Sequence, residues 1–333
     1  MSRREMVLEA VEEAGRLHHR LDSQSKITPL GGGVDVFRTV DELSVALVFR
    51  PLKNLLGIFL PKPVPGVMIT TERGLAVQRF TAAHELGHFV LKHPASVDDE
   101  SILVRYPFGS KPYNNMEAAA DAFAASFLLP RWLIESHAER QGWTAESFDD
   151  PRIVYQLALR IGVSYRAACH SLAQHRIINK NSLNGRLAME PKKIKQALMS
   201  GRNMANWHPD VWVLTERDRG TIIQGGPNDV FLITLKEHSG AGYLWNVDEL
   251  AKSGFAIVSD ERRIPDVSEA VGGSVERLLV AAAQTETDIE VDFSQARPWD
   301  PNSVTDHFHL QFELFGKESG KPRFDRKRMG AAA

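Results

Sequence analysis

Residues 78–94 read QRFTAAHELGHFVLKHP and residues 116–130 read MEAAADAFAASFLLP. In the first stretch Ala82, Leu86, Phe89 and Val90 recur at helical spacing and Pro94 marks the stop, so the segment predicts a helix with one apolar face. Residues four apart share a helix face. That spacing sets His84 beside His88, with Glu85 next to them. Two imidazoles so placed converge on one Zn2+ while the glutamate points at its water, the HExxH arrangement. The second stretch, rich in Ala, Phe and Leu, predicts a largely buried helix that stops before Pro130. Glu117 is an acid on that helix. Burying its carboxylate costs on the order of several kcal/mol unless it is paired or bound to a cation. A zinc ion held by the preceding helix removes that cost, which makes Glu117 the expected third ligand. Asp121, one turn further along, is placed to accept the free ring N–H of His84 or His88 and fix its tautomer.

With His84, His88 and Glu117 as ligands, one coordination position stays open to water and Glu85 is the expected general base, a set suited to peptide-bond hydrolysis. Tyr106, Tyr113 and His93 are the candidates for a donor that stabilises the transition state, and the sequence does not choose among them. Cys169 has no recognisable paired base and reads as a buried small residue. The competing reading is a surface helix carrying two stray histidines, with Glu117 and Asp121 facing solvent at a helix start.

Outward from these helices, β-type runs at Ser44–Arg50, Leu56–Leu60 and Val67–Thr71 are separated by Pro51, Pro61, Pro63 and Pro65 and predict a small sheet. The opening helix carries Met6, Leu8, Val11 and Leu17 at amphipathic spacing. A further helix starts with Pro130 in its first turn. Between Arg152 and Arg202 ten Lys and Arg face one acid, Glu190. Within that segment IVYQLALRIG and YRAACHSLAQH meet at Gly162-Val163-Ser164, the size and punctuation of a helix-turn-helix. β-type runs then take over, among them Val211–Thr215, Val230–Leu235, Asp288–Phe293 and His307–Phe315. In the last, Phe308, Leu310, Phe312 and Leu314 alternate with polar neighbours. The expected class is α+β: a metallopeptidase domain (1–148), a helix-turn-helix-like extension with a basic linker (149–204), an all-β domain (205–316) and a frayed tail (317–333), and the family resemblances given below imply a zincin-like fold for the first and an immunoglobulin-like sandwich for the third.

The chain has 333 residues, 43% of them apolar, enough for more than one core and too many for a disordered chain. Its 40 Lys plus Arg balance 42 Asp plus Glu, so it is not basic overall. A single cysteine, an N-terminus too charged for a signal peptide, and no apolar run of about 18 residues together predict a cytoplasmic protein.

RFTAAHELGHFVLKH followed by E-x-x-x-D-x-F-A-A-x-x-L-x-P, and then by the helix pair, resembles the ImmA/IrrE family of zinc metallopeptidases over roughly Val34–Ile178. The E-x-x-x-D spacing of Glu117 and Asp121 is also similar to that of thermolysin-like peptidases. The resemblance places the family's zinc histidines on His84 and His88, its catalytic glutamate on Glu85 and its third ligand on Glu117. Ala118 and Ala119 stand where charged residues are common. What the family implies is a regulatory enzyme that cleaves a helix-turn-helix transcriptional repressor after DNA damage or a phage or stress signal. Single-stranded DNA acting near residues 152–202 is the expected activator, and a solvated basic linker is the alternative. In the second half, Gly240-Ala241-Gly242-Tyr243-Leu244-Trp245, Val271-Gly272-Gly273 and Arg297-Pro298-Trp299 resemble, in order, the three loop motifs of chagasin-like inhibitors of cysteine peptidases. The residues before Gly242 and after Gly273 depart from that pattern. Two other readings follow: a binding or inhibitor protein whose first half is a scaffold, and a DNA-binding regulator built on the helix pair, which the near-neutral charge disfavours.

Overall fold

The structure is a computed structural model and describes residues 2–99, 114–202, 204–263, 275–300 and 302–330. The chain opens with three helices, α1 (Arg3–Leu21), α2 (Ser23–Ile27) and α3 (Val36–Glu42), followed by strands β1 (Ala46–Arg50), β2 (Leu55–Leu60) and β3 (Gly66–Thr70). Helix α4 (Leu75–Val90) leads into a fourth strand, β4 (Ser96–Asp99). Helices α5 (Asn115–Leu128), α6 (Arg131–Gln141), α7 (Pro151–Ile161), α8 (Tyr165–Gln174), α9 (Lys180–Leu187) and α10 (Pro191–Met199) come next.

The first sheet has the order β1-β3-β2-β4, with β1 parallel to β3 and the other pairs antiparallel. One side of it carries α4, whose residues from Thr81 to His88 are all buried. A helix enclosed all round belongs at the centre of a fold. Close packing of α1 against α5 rests on small residues: Ala10 and Ala14 on α1, Ala118 and Ala122 on α5, all fully buried. Leu17 on α1 is buried in the core as well, whereas Leu8 is half exposed. Helices α7 and α8 contribute Val154, Leu157, Ala158, Ile161, Cys169 and Leu172 to the same core as α4 and α5.

Beyond α10 the chain builds a β-sandwich. Its strands are β5 (Val211–Thr215), β6 (Thr221–Gly225), β7 (Val230–Glu237), β8 (Leu244–Asn246), β9 (Phe255–Arg263), β10 (Val275–Ala283), β11 (Thr287–Ala296) and β12 (Asp306–Leu314), with the short helix α11 (Asp248–Lys252) after β8. One sheet has the order β5-β7-β10-β9 and the other β6-β12-β11-β8. Trp212, Phe231, Phe255, Phe293, Phe308 and Phe312 fill the space between them. At roughly 1.5–3 kcal/mol for each fully buried large apolar side chain, this second core is sufficient to order a domain. The alternation read at Phe308, Leu310, Phe312 and Leu314 is the inward face of β12.

The joint between the two halves satisfies a sheet edge. Strand β5 pairs with β7 on one side only, so its other edge offers free backbone groups that must find partners. Helix α7 supplies them. The Tyr155 hydroxyl accepts from Val211 N, Gln156 Nε2 donates to Val211 O, Gln156 Oε1 accepts from Val213 N, and Arg160 donates to Val213 O. Arg160 is itself held by Asp218 at 2.9 Å, both side chains being almost wholly buried.

The expectation of a frayed tail is corrected. Glu318 is buried, its N–H donates to Gln78 Oε1, and its carbonyl accepts from Gln78 Nε2 on α4. Gly320 bridges to Phe49 of β1 through two backbone hydrogen bonds, and a last helix, α12 (Arg323–Gly330), brings Phe324 against the first core. Buried backbone polar groups need partners, and here the returning chain provides them.

Candidate metal centre

Helix α4 and helix α5 meet where Gly87 has no side chain. A Cβ there would lie 3.2 Å from both the Ala120 backbone and Phe123 Cβ, so glycine within HELGH lets the two helices approach closely. On α5, the Asn114 side chain caps the first turn by accepting from Met116 N, and Glu117 follows inside that turn. An acid there is also favoured by the helix dipole. The packing sets Glu117 beside the two histidines of α4: His84 Nε2 lies 3.3 Å from Glu117 Oε2 and His88 Nε2 3.6 Å from Glu117 Oε1. The two Nε2 atoms are 3.1 Å apart.

The groups behind these nitrogens fix their direction. Asp121 Oδ1 is 2.9 Å from His84 Nδ1, so of the two histidines it is His84 that Asp121 stands behind, with Nε2 turned to the centre. His93 Nδ1 lies 3.0 Å from His88 Nδ1, which puts His93 behind the His88 ring, on the side away from the Nε2 that faces His84. Tyr106 and Tyr113, the other candidate donors, lie outside the described residues. Glu85 is buried and its Oε2 accepts from Ser96 Oγ at 3.0 Å.

One member of the cluster was not anticipated. Asp98 of β4 places Oδ2 3.2 Å from His84 Nε2, and His84, His88, Asp98 and Glu117 offer ligand atoms that all lie within 4.8 Å of one another. Strand β4 buries Ser96 and Asp98 and exposes Val97 and Asp99. That period-two alternation in SVDD is the signal the sequence offered, though four residues made mostly of polar groups do not read as a strand.

The electrostatics describe a pocket built for positive charge. Burial by itself would keep His84 neutral. Hydrogen bonds that the ring donates to the carboxylates of Asp121, Asp98 and Glu117 outweigh that and push its pKa well above the ordinary value. Burial pushes the Glu85 carboxyl far up, and the charge of Asp98 adds to this against the pull of His84 and Ser96. Asp98 resists its own burial and is held below the usual carboxylate range by its hydrogen bond to His84. Two imidazole nitrogens facing each other, with carboxylate oxygens on the same point, repel or share a proton unless a cation lies among them. This donor set therefore fits a divalent metal of the zinc type, for which imidazole and carboxylate are ordinary ligands.

Cys169 is fully buried and burial raises its thiol pKa, in keeping with a packing role. Of the basic residues between Arg152 and Arg202, Arg152 pairs with Asp150, Arg160 with Asp218, Arg186 with Asp149, Lys195 with Asp210 and Arg202 with Glu261. Five of the ten basic residues thus pair with acids of the chain itself. A groove between α6, α7 and the sandwich is lined by Arg152, Arg217 and Lys236 but also by Asp150, Glu216 and Glu276, and it includes no member of the metal cluster.

At one loop of the sandwich the Arg297 guanidinium stacks 4.6 Å from the Tyr243 ring centroid and the Trp299 ring covers Gly242, with Trp299 72% exposed. Two of the three inhibitor-like motifs therefore meet in space. The third, Val271-Gly272-Gly273, lies outside the described residues.

Fold and site together define a metallopeptidase-type domain joined to a β-sandwich. Residues 41–173 match the model of the IrrE N-terminal-like domain, a peptidase family, and residues 226–312 match that of the chagasin family peptidase inhibitor I42. The two matches follow one another along the chain, the peptidase-type model first and the inhibitor-type model second. Among solved structures it is similar to the cysteine protease inhibitor EhICP2 from Entamoeba histolytica, 20% identical over 32% of this chain and 97% of that one, with a TM-score of 0.30. It is also similar to amebosin, 22% identical over 32% of this chain and 98% of that one, TM-score 0.27. A third is PbICP-C in complex with falcipain-2, 14% identical over 34% of this chain and 95% of that one, TM-score 0.22. No curated protein matches the chain. Among the described residues, no helix is long and apolar enough to cross a membrane.

Proposed function

We propose that the chain is a zinc-dependent regulatory endopeptidase of the cytoplasm that cleaves a helix-turn-helix transcriptional repressor. The observation that carries this is the convergence of His84 Nε2, His88 Nε2 and a Glu117 carboxylate oxygen from two adjoining helices, with Glu85 buried on the same side. His84, His88 and Glu117 would hold the metal, and Asp121 orients His84. A zinc ion in that position supplies Lewis acidity towards the scissile carbonyl and a more acidic water. Glu85 takes the proton of the attacking water and returns it to the leaving amine. Our working division of the chain is a peptidase domain at 1–148, a helical extension at 149–204 and a sandwich at 205–316. The exposed residues Arg166, Arg176, Lys180, Lys192 and Lys193 are the surface on which single-stranded DNA would act as an activator.

The test is to incubate the protein with a helix-turn-helix repressor encoded beside it, with and without single-stranded DNA at low salt, and to map the fragments by mass. Glu85→Gln is expected to keep its zinc and lose cleavage by about 10²-fold or more, and His84→Ala to lose the metal. Equal cleavage by wild type and Glu85→Gln would overturn the mechanism. A second reading, inhibition of a cysteine peptidase through the sandwich, is favoured by the exposed Trp299 beside Gly242 and Tyr243. It predicts that a papain-like peptidase is inhibited by wild type and less so by Trp299→Ala.

A further inference from the structure

Zinc bound by nitrogen and oxygen ligands at about 2.0–2.2 Å in a tetrahedron sets neighbouring donors about 3.3–3.6 Å apart. From His84 Nε2 the distances are 3.1 Å to His88 Nε2, 3.2 Å to Asp98 Oδ2 and 3.3 Å to Glu117 Oε2. Three atoms from three different side chains thus stand about one tetrahedral edge from the same vertex. A catalytic zinc site keeps three protein ligands and an open position, whereas four protein ligands make a closed one. The carboxylate of Asp98 is within reach of that fourth corner, the ligand atoms of all four side chains lying within 4.8 Å of one another.

We propose that Asp98 is a fourth protein ligand that closes the metal centre in the resting protein. This rests on the zinc-peptidase reading and adds a condition to it: water and substrate reach the metal only after Asp98 withdraws. The strand that carries Asp98 is suited to withdrawal. Among the described residues β4 is an edge strand, paired with β2 alone, and its register breaks between Leu55 and Gly57, opposite Asp99 and Asp98. Ser96, two residues earlier on the same face of β4, donates to Glu85 Oε2. A shift of this one strand therefore uncovers the fourth corner and frees the base together.

The test uses the whole chain loaded with Co2+, whose visible absorption reports ligand number and exchange, and titrates it with azide. In wild type azide is expected to leave the spectrum unchanged. In Asp98→Ala and Asp98→Asn azide is expected to bind and shift it. Zinc affinity, measured by competition with a chromogenic chelator, is expected to fall at least about 10-fold in both variants, the loss that even an outer partner of a ligand brings. A wild-type spectrum that azide shifts as it does in the variants would refute the closed centre while leaving the peptidase reading intact, and this arm needs no variant to fold. Unchanged zinc affinity in both variants would refute it as well. A wild-type protein that takes up no Co2+ or Zn2+ would overturn this inference and the peptidase reading together.

Discussion

Gly57→Ala separates catalysis from stability at one atom. Gly57 of β2 faces the buried end of α4, and a Cβ built there would come within 2.2 Å of Glu85 Oε1 and 2.6 Å of Thr81 Cγ2. The Glu85 oxygen would have to retreat by about 1.2 Å to regain an ordinary contact of 3.4 Å. The folding cost is about 1–3 kcal/mol for one added methyl in a packed core, because the Glu85 carboxylate is the far end of a flexible side chain although Thr81, stiff at χ1, must also give way. The catalytic cost is larger in proportion, since a misplacement of about 1 Å in a reacting group loses on the order of 10²-fold in rate, about 2.7 kcal/mol of transition-state stabilisation. The assay compares kcat/KM on a protein or peptide that wild type cleaves, alongside bound zinc and the urea midpoint. Expected are full zinc content, a small drop in midpoint and a rate reduced by about two orders of magnitude. A variant that cleaves at the wild-type rate would refute the placement of Glu85, and one that loses its zinc would show that the methyl displaces ligands instead.

Two further outcomes follow from the joint and from the sandwich. Asp218 accepts from Arg160, Gln141 Nε2 and Thr215 N, and it is 1% exposed, so Asp218→Ala leaves the Arg160 charge buried without its carboxylate. The expected loss is about 3–5 kcal/mol in denaturant unfolding, and a loss under about 1 kcal/mol would show that the joint does not depend on this pair. Asp229 has its carboxyl pushed up to about 6 by burial and by the charge of Asp210, against hydrogen bonds from Gly226 N, Trp212 Nε1 and Asp210 N. Because the folded state holds this proton at a pH where the unfolded chain has released it, the contribution of Asp229 to stability is highest below about pH 4. It declines as pH rises to about 6, by about 3 kcal/mol in all. The stability difference between wild type and Asp229→Asn should carry that slope, and a flat difference from pH 4 to 7 would refute it.

Much of this was legible in the chain. HELGH on an apolar-faced segment fixes two imidazoles and a carboxylate on one helix by spacing alone, and an acid amid alanines in the next helix has few affordable environments besides a cation. The alternation in β12 announces a half-buried strand by the same local logic, whereas the sandwich was implied by the resemblance of the second half's loop motifs to a known family. Asp98 escaped because its role depends on β4 pairing with β2, and pairing is set by partners far away in sequence rather than by the four residues of the strand. The basic segment was readable as composition but not as function: only the docking of α7 on the open edge of β5 shows that Arg160 and Gln156 are spent on backbone groups of the sandwich. The tail was misjudged for the same reason, since Glu318 becomes fixed only where Gln78 waits for it on α4. Periodicity and spacing along the chain determined which elements form and which chemistry they carry. Tertiary structure decided how many donors meet at the centre and which charges are free to act, because burial and pairing arise from long-range contacts that no local pattern encodes.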